Sequence, residues 1–118
     1  MIILANGISP QMFYFEDTRI TCSLEITRIS GWQAGDILRS GPFVSVYGHA
    51  DSAKLLARYF RMRINVSRER IKLTPEDQLI VASVQRSRNR EIGYDRQHPA
   101  IFRFYLVRLK GSRNDRRA

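Results

Sequence analysis

The sequence predicts one α/β domain, a mixed sheet of about five strands flanked by helices. The chain has 118 residues, of which 43% are hydrophobic, enough for a single domain with its own core. Short apolar runs of strand length alternate with turn residues, and one stretch has helical spacing. We place the domain at residues 1–109 and expect the basic segment 110–118 to be a disordered tail.

Two strands are predicted in the first thirty residues. Residues 2–5 (IILA) are a short apolar run that Asn6-Gly7 ends. Residues 19–28 (RITCSLEITR) alternate apolar and polar side chains, which is typical of a half-buried strand. The side chains expected on the buried face are Ile20, Cys22, Leu24 and Ile26.

The middle of the chain predicts a strand followed by the best-defined helix. Residues 33–40 fit a weaker helix, and residues 43–47 (FVSVY) fit a buried strand. After Gly48-His49-Ala50, either Asp51 or Ser52 is expected to cap a helix that runs to about residue 60. Its apolar side chains, Leu55, Leu56, Tyr59 and Phe60, recur at helical spacing and predict a core face.

The last half predicts further strands around a polar, arginine-rich loop. Residues 70–73 (RIKL) are a possible short strand, and residues 79–86 (LIVASVQR) are strongly apolar. Residues 87–99 are polar and irregular. Residues 100–109 (AIFRFYLVRL) predict the final strand.

The charge is concentrated in the second half of the chain. The formal net charge is +9, and 17 of the 20 basic residues are arginine. Residues 51–118 carry 17 basic and seven acidic side chains, a net charge of +10. Because the guanidinium group binds phosphate through two hydrogen bonds, this skew favours a polyanionic partner. A bias in base composition or a hot habitat would also enrich arginine.

Several classes of protein are excluded by composition. One cysteine and two histidines exclude a disulfide framework, a cysteine-based zinc site and a redox dithiol. We therefore expect no metal and no cofactor, and a reducing, cytoplasmic setting. No apolar run approaches the roughly 20 residues needed to span a bilayer, and the N-terminus lacks the pattern of a signal peptide.

His49 is the residue best placed for chemistry, since it lies between a predicted strand and a predicted helix N-terminus. The helix start offers free N–H groups to a phosphate, and Gly48 allows a ligand to approach the backbone. A histidine there could protonate a leaving alkoxide. It could equally be a histidine that only fills the turn.

Two polar groups could complete a site. Asn6, Ser9 and Gln11 follow the first strand, where polar side chains hold a sugar or base edge or simply form a turn. Five arginines lie next to the last predicted strands. They could form part of a site, because α/β sites are usually built at strand ends, or they could lie in an ordinary solvated loop. These arginines are Arg68, Arg70, Arg86, Arg88 and Arg90.

Three motifs occur in an order that resembles the viral anti-CRISPR ring nucleases, small proteins of archaeal viruses, phages and bacteria. The family pattern LANAFSxNM corresponds to LANGISPQM (4–12), and SxIGHxxT corresponds to SVYGHADSAKLL (45–56). NRVxIxLxxxDxxxV corresponds to SRERIKLTPEDQLIV (67–81). The resemblance covers roughly residues 3–92.

The resemblance implies a two-fold homodimer that cleaves cyclic tetra-adenylate, the messenger of type III CRISPR defence, without a metal. His49 would protonate the 5′-oxygen while the ribose 2′-hydroxyl attacks phosphorus. Ser9, Gln11 and Arg68 match ligand-binding positions. The family's Arg-x-x-Glu pair is matched by Arg88 and Glu91, with Arg86 as the competing arginine.

The sequence departs from the family pattern at four places. Gly7 replaces a usual alanine, Gln11 replaces asparagine, and Ala50 stands where an acid usually follows the histidine. Residues 87–99 do not clearly provide the short helix with which family members usually continue. The predicted catalytic residues are His49, Arg88 and Glu91. The predicted ligand-binding residues are Asn6, Ser9, Gln11, Gly48, Ser52, Arg68 and Arg86.

The function classes left open are three: a cyclic oligoadenylate phosphodiesterase, a non-enzymatic basic nucleic-acid-binding protein, and a relative that binds the messenger without cutting it. No RNA- or DNA-binding motif is recognisable in the sequence, so no stable complex with duplex nucleic acid is expected. No membrane partner is expected either.

Overall fold

A computed structural model of the chain describes residues 1–9, 12, 20–85 and 101–114, in which two helices cover one face of a five-stranded mixed sheet. This arrangement confirms the predicted α/β fold class. The elements are β1 Ile2–Ala5, β2 Ile20–Ile29, α1 Gly31–Arg39, β3 Phe43–Ser45, α2 Ala50–Phe60, β4 Gln78–Gln85 and β5 Ile101–Asn114.

The strand order is β2-β5-β4-β1-β3. Strand β1 lies parallel to both of its neighbours: Leu4 is opposite Ser45 of β3 and Ile80 of β4. Strand β5 is antiparallel to β4 and to β2. Strands β1, β3 and β4 therefore end at the same edge of the sheet, which is where α/β proteins usually bind ligands.

The helices bury the first of two hydrophobic clusters. Leu38 of α1 and Leu56 and Phe60 of α2 pack with Leu4 and Ile80 of the sheet. The helical spacing of the apolar residues in α2 thus predicted its core face correctly for Leu56 and Phe60. Tyr59 lies beside them and is half exposed, although its ring contacts Phe102 and Phe104.

The second cluster lies on the opposite face of the sheet. Ile3 and Leu79 pack there with Met12 and with Leu73 from the segment between α2 and β4. The Leu73 N–H donates to the carbonyl oxygen of Met12 at 2.9 Å. These non-helical segments contribute Met12 and Ile71 to the wall of a cleft at the edge of the sheet.

The interpretation of residues 70–73 as a strand is wrong. Ile71 and Leu73 face the second cluster, but the segment is not assigned as a strand. The alternation of apolar and polar residues therefore indicated which side of the segment is buried, although the segment does not pair with a strand. Strand β3 is also shorter than predicted: Tyr47 forms only an isolated bridge with Val66.

Strands β2 and β5 each differ from expectation in one respect. Ile26 was predicted to be buried, yet it is 54% exposed. It lies opposite Val107 of β5, on the face of the sheet that the helices do not cover. Strand β5 was expected to end at Leu109 but pairs with β2 as far as Asn114. The remainder of the predicted tail, residues 115–118, lies outside the described residues.

Candidate functional site

The candidate site lies at the edge where the three parallel strands end. Asn6 follows β1, and Gly48 and His49 connect β3 to α2. The Oδ1 atom of Asn6 accepts a hydrogen bond from the Gly48 N–H at 3.2 Å. This bond brings the end of β1 next to the loop that carries His49.

A cleft of about 370 Å³ opens on one side of this link. Asn6, Ser9, Gly48 and Arg68, four of the predicted ligand-binding residues, line it. The Arg68 side chain reaches over Gly48, with its Nε donating to the Gly48 carbonyl at 3.4 Å. A Cβ atom at Gly48 would lie 3.4 Å from the Arg68 Cγ, so a larger residue there would take up room between the loop and the arginine.

The electrostatics of this cleft favour an anion. Arg68 and Arg70 are exposed on its wall, with Glu69 between them. No arginine side chain in the described part of the chain forms a salt bridge; the two described bridges involve the N-terminal amine and Lys110. The guanidinium groups are therefore not neutralised by the described carboxylates, and they attract phosphate.

A smaller cleft of about 220 Å³ contains His49 and shares Asn6 with the larger one. Its other lining residues are Tyr47 and Ser52 beside His49, and Ala82, Ser83 and Val84 at the end of β4. Asn6 therefore lies between the histidine and the arginine-lined cleft. A ligand that contacts both Asn6 and Arg68 would place a neighbouring group near the imidazole.

His49, rather than Asp51 or Ser52, is the N-cap of α2. Its Nδ1 accepts the backbone N–H of Ser52 at 3.2 Å and lies 2.8 Å from the Ser52 hydroxyl. A ring nitrogen thus takes the role that a serine or aspartate oxygen usually plays at a helix start. The cap fixes the position of the imidazole at the end of the helix.

Ser52 lines the smaller cleft beside His49, and its predicted role in ligand binding stays a prediction. It is only 6% exposed, and its hydroxyl contacts the histidine ring from the helix side. We therefore interpret Ser52 as a residue that contacts His49. Ser52 is the third residue of α2. The sequence pattern predicted the start of this helix only to within a residue.

Tyr47 is a member of this site that the sequence analysis missed. Its side chain is 1% exposed, and its hydroxyl donates to the Ala82 carbonyl of β4 at 2.9 Å. Burial raises the pKa of Tyr47 to about 12, although a hydrogen bond with Ser52 partly opposes this rise. The sequence contained one indication of this role, a tyrosine in a strand predicted to be buried, because a buried phenol needs a hydrogen-bond partner.

Four predicted site residues cannot be placed by the structure. Gln11, Arg86, Arg88 and Glu91 lie outside the described residues, so their roles stay predictions. Within the described ranges, no three metal-ligating side chains lie together, and no helix is long and apolar enough to cross a membrane.

The fold is that of a small viral α/β protein. B116 of Sulfolobus turreted icosahedral virus (STIV) superimposes with a TM-score of 0.61 at 20% identity, over 90% of this chain and 97% of that chain. At this identity the match establishes the fold alone. The sequence profile of the STIV B116-like family matches residues 2–97, and the chain belongs to that family. No curated protein matches the sequence.

The family match spans all three motifs of the sequence analysis and every predicted site residue. The predicted resemblance to a family of viral proteins is thereby confirmed.

Proposed function

We propose that this protein is a metal-independent phosphodiesterase that cleaves a cyclic oligoadenylate, with cyclic tetra-adenylate as the preferred ring. The observation that carries the proposal is the position of His49, at a helix N-terminus and next to a cleft lined by Asn6 and Arg68. This combination supplies a proton donor beside a phosphate site.

Phosphate binding is supported by two kinds of positive group. The N-terminus of α2 carries the positive end of the helix dipole. Arg68 and Arg70 add full charges on the wall of the adjacent cleft. A cyclic tetranucleotide has four phosphates, so a ligand of this class needs several such groups.

The size of the cleft favours binding of one part of the ring by each chain. Its volume of about 370 Å³ is near the lower end of ligand pockets, which run from roughly 300 to 1,000 Å³. A cyclic tetranucleotide is larger than that. Two chains around a two-fold axis would present two equivalent clefts to opposite sides of the ring.

The proposed reaction is an internal transesterification. The ribose O2′ attacks the adjacent phosphorus, a P–O2′ bond forms, and the P–O5′ bond breaks. His49 donates a proton to O5′, while the proton of the 2′-hydroxyl passes to solvent. The products are a 2′,3′-cyclic phosphate and a 5′-hydroxyl, and solvent then returns the proton to His49.

No metal is required for this chemistry. The nucleophile is already attached to the substrate, so alignment replaces the activation of a water molecule. Protonation of the leaving oxygen contributes roughly 10²–10⁴-fold to the rate. By its resemblance to the anti-CRISPR ring nucleases, the biological role would be to shut off type III CRISPR signalling.

The test is incubation with cyclic tetra-adenylate in the presence of EDTA, followed by chromatography of the products. Linear products carrying 2′,3′-cyclic phosphate ends support the proposal. Binding without cleavage would indicate a sequestering protein instead, and no binding would leave a basic nucleic-acid-binding protein as the better interpretation. Activity that depends on an added divalent metal would contradict the mechanism.

Two variants make this test specific. His49→Asn keeps a side-chain oxygen to cap α2 but cannot act as an acid, so it should bind the ring without cleaving it. Arg108→Ala removes an exposed arginine of β5 that lines neither cleft. It is the control for loss of charge alone and should cleave at the wild-type rate.

A further inference from the structure

We propose that Ser52 is a positioning residue whose hydroxyl reverses its hydrogen bond to His49 when the imidazole gains a proton, with Tyr47 as the next partner in the chain. The proposal deepens the phosphodiesterase function and rests on it for its role in catalysis.

The contacts of Nδ1 define the neutral state of His49. A backbone N–H is only a donor, and that of Ser52 points at Nδ1 from 3.2 Å. Nδ1 is therefore the ring nitrogen without a proton, and the neutral ring carries its proton on Nε2. In this state the Ser52 hydroxyl, 2.8 Å away, also donates to Nδ1.

The proposed reaction needs a different state. If the neutral ring gave up its Nε2 proton, an imidazolate would remain, so an effective acid must also carry a proton on Nδ1. That Nδ1–H requires an acceptor, and the Ser52 backbone N–H cannot serve. The Ser52 Oγ at 2.8 Å is the acceptor on that side of the ring.

Tyr47 makes the reversal possible. When Ser52 accepts from Nδ1–H, its own proton is free to turn to the Tyr47 phenolic oxygen, because both side chains line the same small cleft. The Tyr47 hydroxyl donates onward to the Ala82 carbonyl at 2.9 Å. Because the pKa of Tyr47 is about 12, this phenol keeps its proton at neutral pH.

The order of donors in the protonated state is then His49 to Ser52, Ser52 to Tyr47, and Tyr47 to Ala82. Each of the two hydroxyls then donates once and accepts once, so both hydroxyls keep their partners. The histidine gains a proton without leaving its place at the helix start. Only the Ser52 backbone N–H loses its bond to Nδ1.

In the part of the chain that the structure describes, few charged groups lie beside this chain of hydrogen bonds. Among the described residues that line the histidine cleft, Tyr47 is the only titratable side chain besides His49 itself. Two charged residues lie on the adjoining described segments: Asp51 is in the first turn of α2, and Arg68 donates to the Gly48 carbonyl. Neither is changed in the variants below.

The first experiment compares the rate of cyclic tetra-adenylate cleavage with pH for wild type, Ser52→Ala and Ser52→Thr. The hydrogen bond to the charged imidazolium is stronger than the one to the neutral ring. Ser52→Ala should therefore shift the high-pH fall of the rate to lower pH, by up to about one pH unit. Ser52→Thr keeps the hydroxyl and should restore the wild-type profile. A profile that is the same in wild type and Ser52→Ala would overturn the proposal.

The second experiment does not depend on cleavage. With ¹⁵N-labelled histidine and a His98→Gln background, the only remaining histidine is His49, and its two ring nitrogens are resolved by NMR as the pH is varied. The neutral form should carry its proton on Nε2, and Ser52→Ala should change the Nδ1 signal in both protonation states. Ser52→Thr should reverse that change.

The two experiments separate the possible failures. If the wild type does not cleave the ring, the proposed function is wrong, and the ring-nitrogen signals alone decide whether Ser52 bonds to both forms of His49. A proton on Nδ1 in the neutral form, or an Nδ1 signal unaffected by Ser52→Ala, would overturn the proposal. Should Ser52→Ala fail to fold, Ser52→Cys preserves the volume with a weakly bonding thiol and takes its place.

Discussion

Asn6 and Gly48 are separated by 42 positions in the sequence, yet the Asn6 carboxamide oxygen accepts the Gly48 backbone N–H at 3.2 Å. This bond joins the end of β1 to the loop that carries His49. The amide NH₂ group of Asn6 does not take part in it. Asn6 lines both clefts, so the same side chain is available to hold the loop and to contact a ligand.

Asn6→Asp separates these two roles. Aspartate keeps an oxygen for the Gly48 N–H, so the melting temperature should change little. The variant replaces the NH₂ donor with a negative charge in a cleft proposed to bind phosphate, and the affinity for cyclic tetra-adenylate should fall at least tenfold. Calorimetry of unfolding and of binding measures the two effects, and unchanged affinity would place the ligand elsewhere.

The catalytic assignment predicts that His49→Ala lowers cleavage by roughly 10²–10⁴-fold and leaves most of the binding affinity. Alanine also removes the cap of α2, which typically costs about 1 kcal/mol of stability. His49→Asn restores the cap and should recover stability without recovering cleavage. Single-turnover rates under saturating ligand provide the measurement. Near wild-type cleavage by either variant would contradict the role of His49.

The general position of this site could be predicted from the sequence because it depends on apolar runs and chain breaks. The runs of β1 and β4 and the break at Gly48 marked where strands end, and parallel strands bring such ends together. The direction of Ser52 could not be predicted, since a shift of one residue in the helix start turns that side chain by about 100°. The partner of the Tyr47 hydroxyl could not be predicted either, because it is a backbone carbonyl 35 residues away.

Residues 70–73 show a second limit of sequence patterns. Alternating apolar side chains report which side of a segment is buried, and Ile71 and Leu73 are indeed packed against the core. Strand formation also needs a neighbouring backbone with free hydrogen-bonding groups. That condition is set by the whole chain path, which local alternation does not contain.

Arg68 is expected to contribute binding affinity in a salt-dependent way. Arg68→Ala should weaken binding of cyclic tetra-adenylate by about 1.5–3 kcal/mol, the usual range for a charged hydrogen bond. The dependence of log affinity on log salt concentration should also become shallower, since fewer phosphate charges are neutralised. Titrations at several salt concentrations measure both quantities, with Arg108→Ala as the control. Equal affinity and equal slope in the two variants would move the phosphate contact away from Arg68.

The raised pKa of Tyr47 predicts that the folded protein loses stability at alkaline pH. Its pKa is raised from 10 to about 12 in the folded protein, so the unfolded chain releases the phenolic proton first. The stabilisation from the protonated phenol is complete below pH 10 and is lost as the pH rises towards 12, by up to about 2 kcal/mol. Denaturant unfolding of wild type and Tyr47→Phe between pH 8 and 12 isolates this effect. Tyr59→Phe removes the hydroxyl of a half-exposed tyrosine, and its stability should depend on pH as that of the wild type does. If the stability of Tyr47→Phe fell with pH in parallel with that of the wild type, the prediction would be contradicted.

The working unit is predicted to be a two-fold homodimer in which two His49 side chains face one shared pocket. One chain supplies a cleft of about 370 Å³ and one capped helix start, and a cyclic tetranucleotide presents equivalent phosphates on opposite sides. Light scattering at micromolar concentration should give twice the mass of one chain.

Deleting residues 115–118 should leave assembly intact, whereas truncation after Leu109 removes residues of β5 that pair with β2 and should destabilise the fold. A monomer that cleaves the ring at the full rate would refute the shared pocket and the strongest size argument for this substrate.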